Sequence, residues 1–155
     1  MKIILTIATA VFAFNASNAW ANDAQHQEQT KSATATPADE AAKNLLMHHL
    51  GSFQDNDLEA VISDYTSESV LITADATYKG PKEIRAFFSG LIPHFPKHKS
   101  NFELDKMVVN DGMALIVWHA KTPTVDVPFA TDTFVVKAGK IYRQTFAGPF
   151  RFTGK

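Results

Sequence analysis

Between residues 37 and 53 the apolar positions fall at helical spacing, with Ala41, Leu45, Leu46, Leu50 and Phe53 on one face. Thr36 is placed to cap this helix. Pro37 takes its first position, and Asp39 and Glu40 stand in its first turn, where acids meet the positive end of the helix dipole. The polar run QDND breaks the pattern. Asp57 then caps a second helix, Leu58 to Tyr65, with Leu58, Val61, Ile62 and Tyr65 facing inward. A short strand follows in SVLIT, residues 69–73, and the turn ADATYKG leads to Gly80. Pro81 opens a third helix, PKEIRAFFSGLI, with Ile84, Phe87, Phe88 and Leu91 on one side. The two prolines of PHFPKHKS end it.

From Asn101 the apolar period changes from 3.6 to 2. NFELDKMVVN reads as a strand, Asn110-Asp111-Gly112 as a turn and MALIVWHAKT as the next strand. VPFATDTFVVK and KIYRQTFAG then form a hairpin about Ala138-Gly139. Helices first and long antiparallel strands afterwards predict an α+β layout, three helices on one face of a curved sheet.

The N-terminus changes the picture of what folds. Lys2 is followed by an apolar run from Ile3 to Phe14 and a small-x-small pattern at Ala19-Trp20-Ala21. This is the arrangement of a secretory signal peptide over residues 1–21, cleaved before Asn22. The run is short for a membrane span. Residues 22–36 are polar, without apolar period, and read as a flexible leader to a domain over 37–155. The expected destination is the periplasm or the exterior, with no membrane attachment after cleavage. There is no cysteine, so the core holds the fold without disulfides, and twelve Phe supply it. Loss of Lys2 takes the formal charge from −1 to −2, which leaves no basic excess to attract nucleic acid.

Three strings in this order resemble the nuclear transport factor 2-like (cystatin-like) superfamily, in its SnoaL-like and ketosteroid-isomerase-like branch. They are AAKNLLMHHLGSFQDNDLEAVISDYTSESVLI, YKGPKEIRAFF and DTFVVKAGKIYRQTF. The resemblance implies a cone: a strongly curved mixed or antiparallel sheet wraps three N-terminal helices and leaves an apolar pocket at its open end. It also implies a homodimer formed through the other face of the sheet.

Side chains alternate across a strand. Pro128, Ala130, Asp132, Phe134 and Val136 share one face, as do Tyr142, Gln144 and Phe146, and Ala114, Ile116, Trp118 and Ala120. The resemblance places Asp132 at the ketosteroid isomerases' oxyanion-hole acid. It places His49 where they carry a catalytic tyrosine and Thr73 where they carry the general-base aspartate. Thr73 cannot take a proton from carbon, which leaves Asp75 as the one nearby base. Candidate catalytic residues are therefore Asp132, His49 and Asp75. Candidate pocket residues are Trp118, Ile116, Phe134, Tyr142, Gln144, Phe146, Phe87 and Tyr65. Arg143 and His119 fall on the opposite face.

His94 and His98 are four apart, but the proline in HFPKH prevents a regular helix from presenting both as metal ligands. No metal or other cofactor is expected, since the chain has no phosphate-cradling glycine loop, no CxxC and no Ser-His-Asp string. The expected function is an exported module binding a small apolar molecule with a carbonyl or hydroxyl. The alternative is an acid–base enzyme of isomerase, cyclase or hydrolase type using Asp132 and His49.

Overall fold

The computed structural model describes residues 35–153. The expected signal peptide and nearly all of the expected leader fall outside these residues. The first helix, α1, spans Pro37–Gln54 behind a capping box in which Thr36 accepts from the Asp39 N–H and Asp39 accepts from that of Thr36. Its buried stripe is Ala42, Leu46, His49, Leu50 and Phe53. Ala41 is exposed and Leu45 only half-buried, so the inward face is rotated by about one residue from the expected one. The polar His49 takes a core position that an apolar pattern does not count.

Asp57 caps α2, Leu58–Ser63, which stops at Asp64. Tyr65 therefore opens a strand instead of ending a helix. This strand, β1, spans Tyr65–Ile72, four residues earlier at its start than SVLIT. The expected turn after it holds a short strand, β2, Thr77–Lys79, antiparallel to β1. Gly80 has φ +69°, a left-handed conformation that glycine adopts without steric cost. It turns the chain into α3, Gly80–Leu91.

The remaining strands are β3 (Asn101–Asn110), β4 (Met113–Lys121), β5 (Val125–Lys137), β6 (Lys140–Ala147) and β7 (Arg151–Phe152). Asp111-Gly112 and Ala138-Gly139 all have positive φ, as two-residue hairpin turns require. The sheet order is β2-β1-β6-β5-β4-β3, with β7 paired to the start of β5. Only β1 and β6 run parallel, so the sheet is mixed. The helices cover one face of a curved, unclosed sheet in an α+β cone.

Bulges bend the sheet and reset its alternation. On β5 Trp118 pairs with Ala130, but Ala120 pairs with Val127, so three steps on β5 face two on β4. Val125 and Val127 point inward as a result, and Pro128 is exposed instead of sharing the face of Asp132. On β6 Ile141 pairs with Val136 and Arg143 with Val135, leaving Tyr142 as the extra residue. The core lies between helices and sheet, with Leu46, Val61, Leu71, Ile84, Phe134 and Ile141 fully buried.

Candidate functional site

Asp132 stands in mid-strand, directly opposite Ile116 of β4 and Phe146 of β6. Trp118 and Gln144, which pair with Ala130 and Phe134, are its diagonal neighbours. Long side chains reach across that diagonal. Trp118 Nε1 donates to one carboxyl oxygen at 2.8 Å and Gln144 Nε2 to the other at 2.8 Å. Asp132 is only 6% exposed. Burial pushes its pKa above the ordinary carboxylate value; the bonds from Gln144 and Trp118 and the proximity of His49 oppose this without cancelling it.

The amide of Gln144 is oriented by these contacts. Its nitrogen faces the acid, so its oxygen faces Tyr65 and accepts the phenol's proton. Burial first, then the charges of Asp132 and Asp64, raise the Tyr65 pKa well above its ordinary value, so the hydroxyl keeps that proton. His49 approaches the same hydroxyl, with Nε2 at 3.4 Å. Its Nδ1 lies 3.0 Å from Oδ2 of Asp64. A carboxylate accepts and cannot donate, so Nδ1 is the protonated nitrogen. The other oxygen of Asp64 lies 3.0 Å from Nδ1 of His48, whose side chain is 52% exposed. A continuous polar run thus passes through Asp64, His49, Tyr65, Gln144, Asp132 and Trp118. The carboxylates of Asp64 and Asp132 and the amide of Gln144 are each bonded within this run, which offsets the cost of burying them, while Nε2 of His49 keeps its lone pair against the phenol oxygen.

Above the run lies a narrow aromatic slot with a cavity volume of about 40 Å³, opening into about 460 Å³ of empty space that includes its solvent side. Asp132, His49 and Gln144 are its polar groups; Phe87, Phe88, Phe102, Trp118, Phe134 and Phe146 are its aromatic wall. Phe102 stacks on Trp118 with ring centres 5.0 Å apart, and Phe88 and Phe134 meet the His49 ring edge-on at 5.7 and 5.9 Å. Such a wall excludes water and strengthens any hydrogen bond made to a bound oxygen atom.

The structure brings Asp132 and His49 into one site, with Trp118, Phe134, Gln144, Phe146 and Phe87 around them. It does not bring Asp75. That residue is exposed in the turn after β1, where its N–H and that of Ala76 donate to the Thr73 hydroxyl, and it borders a different hollow. A turn closed on itself does not bend inward. Ile116 is buried in the core instead of lining the slot, and Tyr65 stands behind Gln144. Tyr142, displaced by its bulge, carries the Arg143 guanidinium 3.6 Å from its ring centre. His119 faces Asp105 and Glu103 on the other side of the sheet. Periodicity did not single out Asp64 or Phe102; the adjacent histidines at 48 and 49 were the nearest signal for a buried acceptor.

The raised pKa of Asp132 has a consequence for stability. The folded state holds this proton more tightly than the unfolded chain, so the contribution of Asp132 to folding is full below the unfolded value of about 3.8. It is lost as pH rises through the folded-state value. Asp132→Asn does not titrate, and Gln144 can keep the run bonded by turning its amide over. Urea unfolding midpoints measured from about pH 4 toward neutrality are expected to shift in favour of the variant as pH rises. A difference independent of pH would show that the carboxylate is not held at a cost.

The model of the SnoaL-like domain family matches residues 47–144 of the chain. No curated protein matches it. Among solved structures, a candidate ketosteroid isomerase from Kribbella flavida DSM 17836 is similar in fold, with TM-score 0.60 at 10% identity over 76% of this chain and 84% of that one. A candidate SnoaL-like polyketide cyclase from Shewanella denitrificans OS-217 aligns with TM-score 0.59 at 14% identity, covering 70% and 90% of the two chains. A protein of unknown function from Burkholderia xenovorans LB400, described as like nuclear transport factor 2, gives TM-score 0.61 at 14% identity over 76% and 90%. The family match takes in both α1 from Met47 and β6 as far as Gln144, so it spans the elements that carry His49, Asp64, Asp132 and Gln144. The chain belongs to the SnoaL-like domain family.

Proposed function

We propose that this SnoaL-like domain binds a small apolar molecule in the aromatic slot, with a carbonyl or hydroxyl oxygen of the ligand placed against Asp132. The observation that carries this reading is a single buried acid in an otherwise aromatic hollow, fixed by Trp118 on one oxygen and Gln144 on the other. An acid of raised pKa donates to a carbonyl when protonated and accepts from a hydroxyl when ionised. Titration calorimetry with 4-ethylphenol tests it. The wild-type protein is expected to bind, and Asp132→Leu to bind about tenfold or more weakly, the worth of one hydrogen bond to a charged group. Absence of binding, or equal binding by the variant, would refute the reading.

A second reading is acid–base catalysis on such a ligand. It is favoured by the carboxylate of Asp64 behind His49, which fixes the tautomer that leaves Nε2 free to take a proton. Asp132 then supplies the hydrogen bond to the developing oxyanion.

Two further properties belong to the proposal. The chain is exported to the periplasm or beyond through residues 1–21, which N-terminal sequencing of the mature protein from its host checks by a start at Asn22. The domain also pairs with a second copy through the outer face of the sheet, where Val108, Met113 and Leu115 are exposed. Val108 and Leu115 are direct cross-strand neighbours there, and an apolar patch of this kind marks an interface. Leu115→Lys is expected to turn a dimer into a monomer in sedimentation; a monomeric wild-type protein would contradict the pairing.

A further inference from the structure

A second, mostly apolar hollow, the one Asp75 borders, lies beside the slot as an open trough of about 1030 Å³ including its solvent side. Phe87, Leu91 and Phe146 line both hollows. Phe146 stacks on Phe150 of the trough at 5.2 Å and tilts against Trp118 of the slot at 6.2 Å. Phe87 likewise meets Tyr78 at 5.1 Å on the trough side and Phe88 at 5.2 Å on the slot side. The partition is thus made of side chains from α3 and β6, and both of its rings are only half-buried.

The trough's outer wall is a strap of chain after β6. A Cβ on Gly148 would stand 2.7 Å from Cβ of Ala130 and 2.9 Å from the carbonyl oxygen of Phe129, so only glycine lets the chain run this close alongside β5. Residues beyond it stay on the same edge of β5 and pair with Val125 and Asp126, which fixes β7 at the trough's rim. Phe152 is held there 64% exposed, with its ring 5.1 Å from that of His94. A backbone this constrained, presenting a large exposed aromatic ring to an apolar hollow, has built a wall for an apolar occupant.

We infer that slot and trough are two compartments of one ligand site, and that its ligand is an elongated apolar molecule with an oxygen at one end. The oxygen-bearing end passes between Phe87 and Phe146 to Asp132, and the body lies along the strap. The inference rests on the proposed binding role of the slot. It adds a length: the narrow slot takes the oxygen-bearing end, and the body of a longer molecule lies in the trough.

Calorimetry with 4-ethylphenol and 4-hexylphenol tests it. Each buried methylene adds about fourfold in affinity, partly offset by ordering of the chain. The wild-type protein is expected to bind the hexyl compound at least about tenfold more tightly. Phe152→Ser and Ala147→Asp, both at exposed trough positions, are expected to reduce that gain to threefold or less. Both should leave 4-ethylphenol binding within twofold of wild type. Equal affinities for the two phenols, or a gain kept in both variants, would overturn the inference. So would a gain lost only because Phe152→Ser dissociates a dimer, since the trough would then be an interface. Hexylphenol binding that ignores Asp132→Leu would sink the role of the slot and the single-site claim together while leaving a separate site in the trough. Hexylphenol binding that needs Asp132 but ignores both trough variants would sink the trough alone.

Discussion

Asp64→Ala is expected to destabilise the domain by about 3–5 kcal/mol, the range for removing one partner of a buried polar pair. The carboxylate is almost fully buried and accepts from two histidines, one of which, His49, has a side chain only 3% exposed. Truncation leaves the Nδ1 proton of His49 inside the core with no acceptor, and the cost of an orphaned buried donor is close to its full desolvation penalty. His48→Ala removes the other bond to the same carboxylate, but from a half-exposed ring that water can serve equally well. Its expected cost is about 0–1 kcal/mol. Asp64→Asn keeps one acceptor oxygen and should fall between the two. Chemical denaturation of the three variants reads the order. Since a domain of this size has only about 5–15 kcal/mol to lose, Asp64→Ala should stand near the edge of folding. Equal effects of Asp64→Ala and His48→Ala would show that the buried bond is not what matters.

The helices were legible wherever the local rules and the tertiary demands agreed. Thr36 with Asp39, Pro37 and Asp57 marked helix starts that the structure keeps. The glycines at 112 and 139 marked hairpins because two-residue turns need positive φ. Asp132 was legible for a different reason: an acid inside an apolar strand violates the pattern, and such violations concentrate at functional sites. Two of the failures share one cause. Alternation is counted from a phase, and a bulge changes the phase by one residue. The irregularity near Pro128 moved Val127 to the inside, and the one at Tyr142 took that ring out of the slot. Nothing local announces either. Asp64 was hidden in another way. It ends a helix of six residues, where an acid reads as a surface cap. Only the docking of α1 brings His48 and His49 down onto it, sixteen and fifteen residues from it along the chain.

His49→Phe is expected to lower proton exchange at carbon by a factor of about 10²–10⁴, the usual contribution of a positioned acid or base. The reaction to follow is exchange of the α-protons of 2-tetralone in D2O, watched by proton NMR, because it asks for a base and an oxyanion donor and for nothing else. His49 is the base this geometry offers: Asp64 holds its Nδ1 proton, its ring lines the slot, and no aspartate stands at position 73. Phenylalanine fits a site whose neighbours are the rings of Phe88 and Phe134, so the variant keeps the wall while removing both nitrogens. Asp132→Leu should remove the oxyanion donor and cost about 10²–10³. Asp64→Asn should lower exchange less than His49→Phe, because it misorients the imidazole without removing it. His48→Ala reaches the same carboxylate from the solvent side and should leave exchange within about twofold of wild type, as an exposed partner is worth little. Exchange no faster than buffer in the wild-type protein, with 4-ethylphenol still bound, would reject the catalytic reading and leave the slot as a binding site. Exchange that survives His49→Phe would move the base to Asp132 itself, which at its raised pKa is the one other titratable group in the slot.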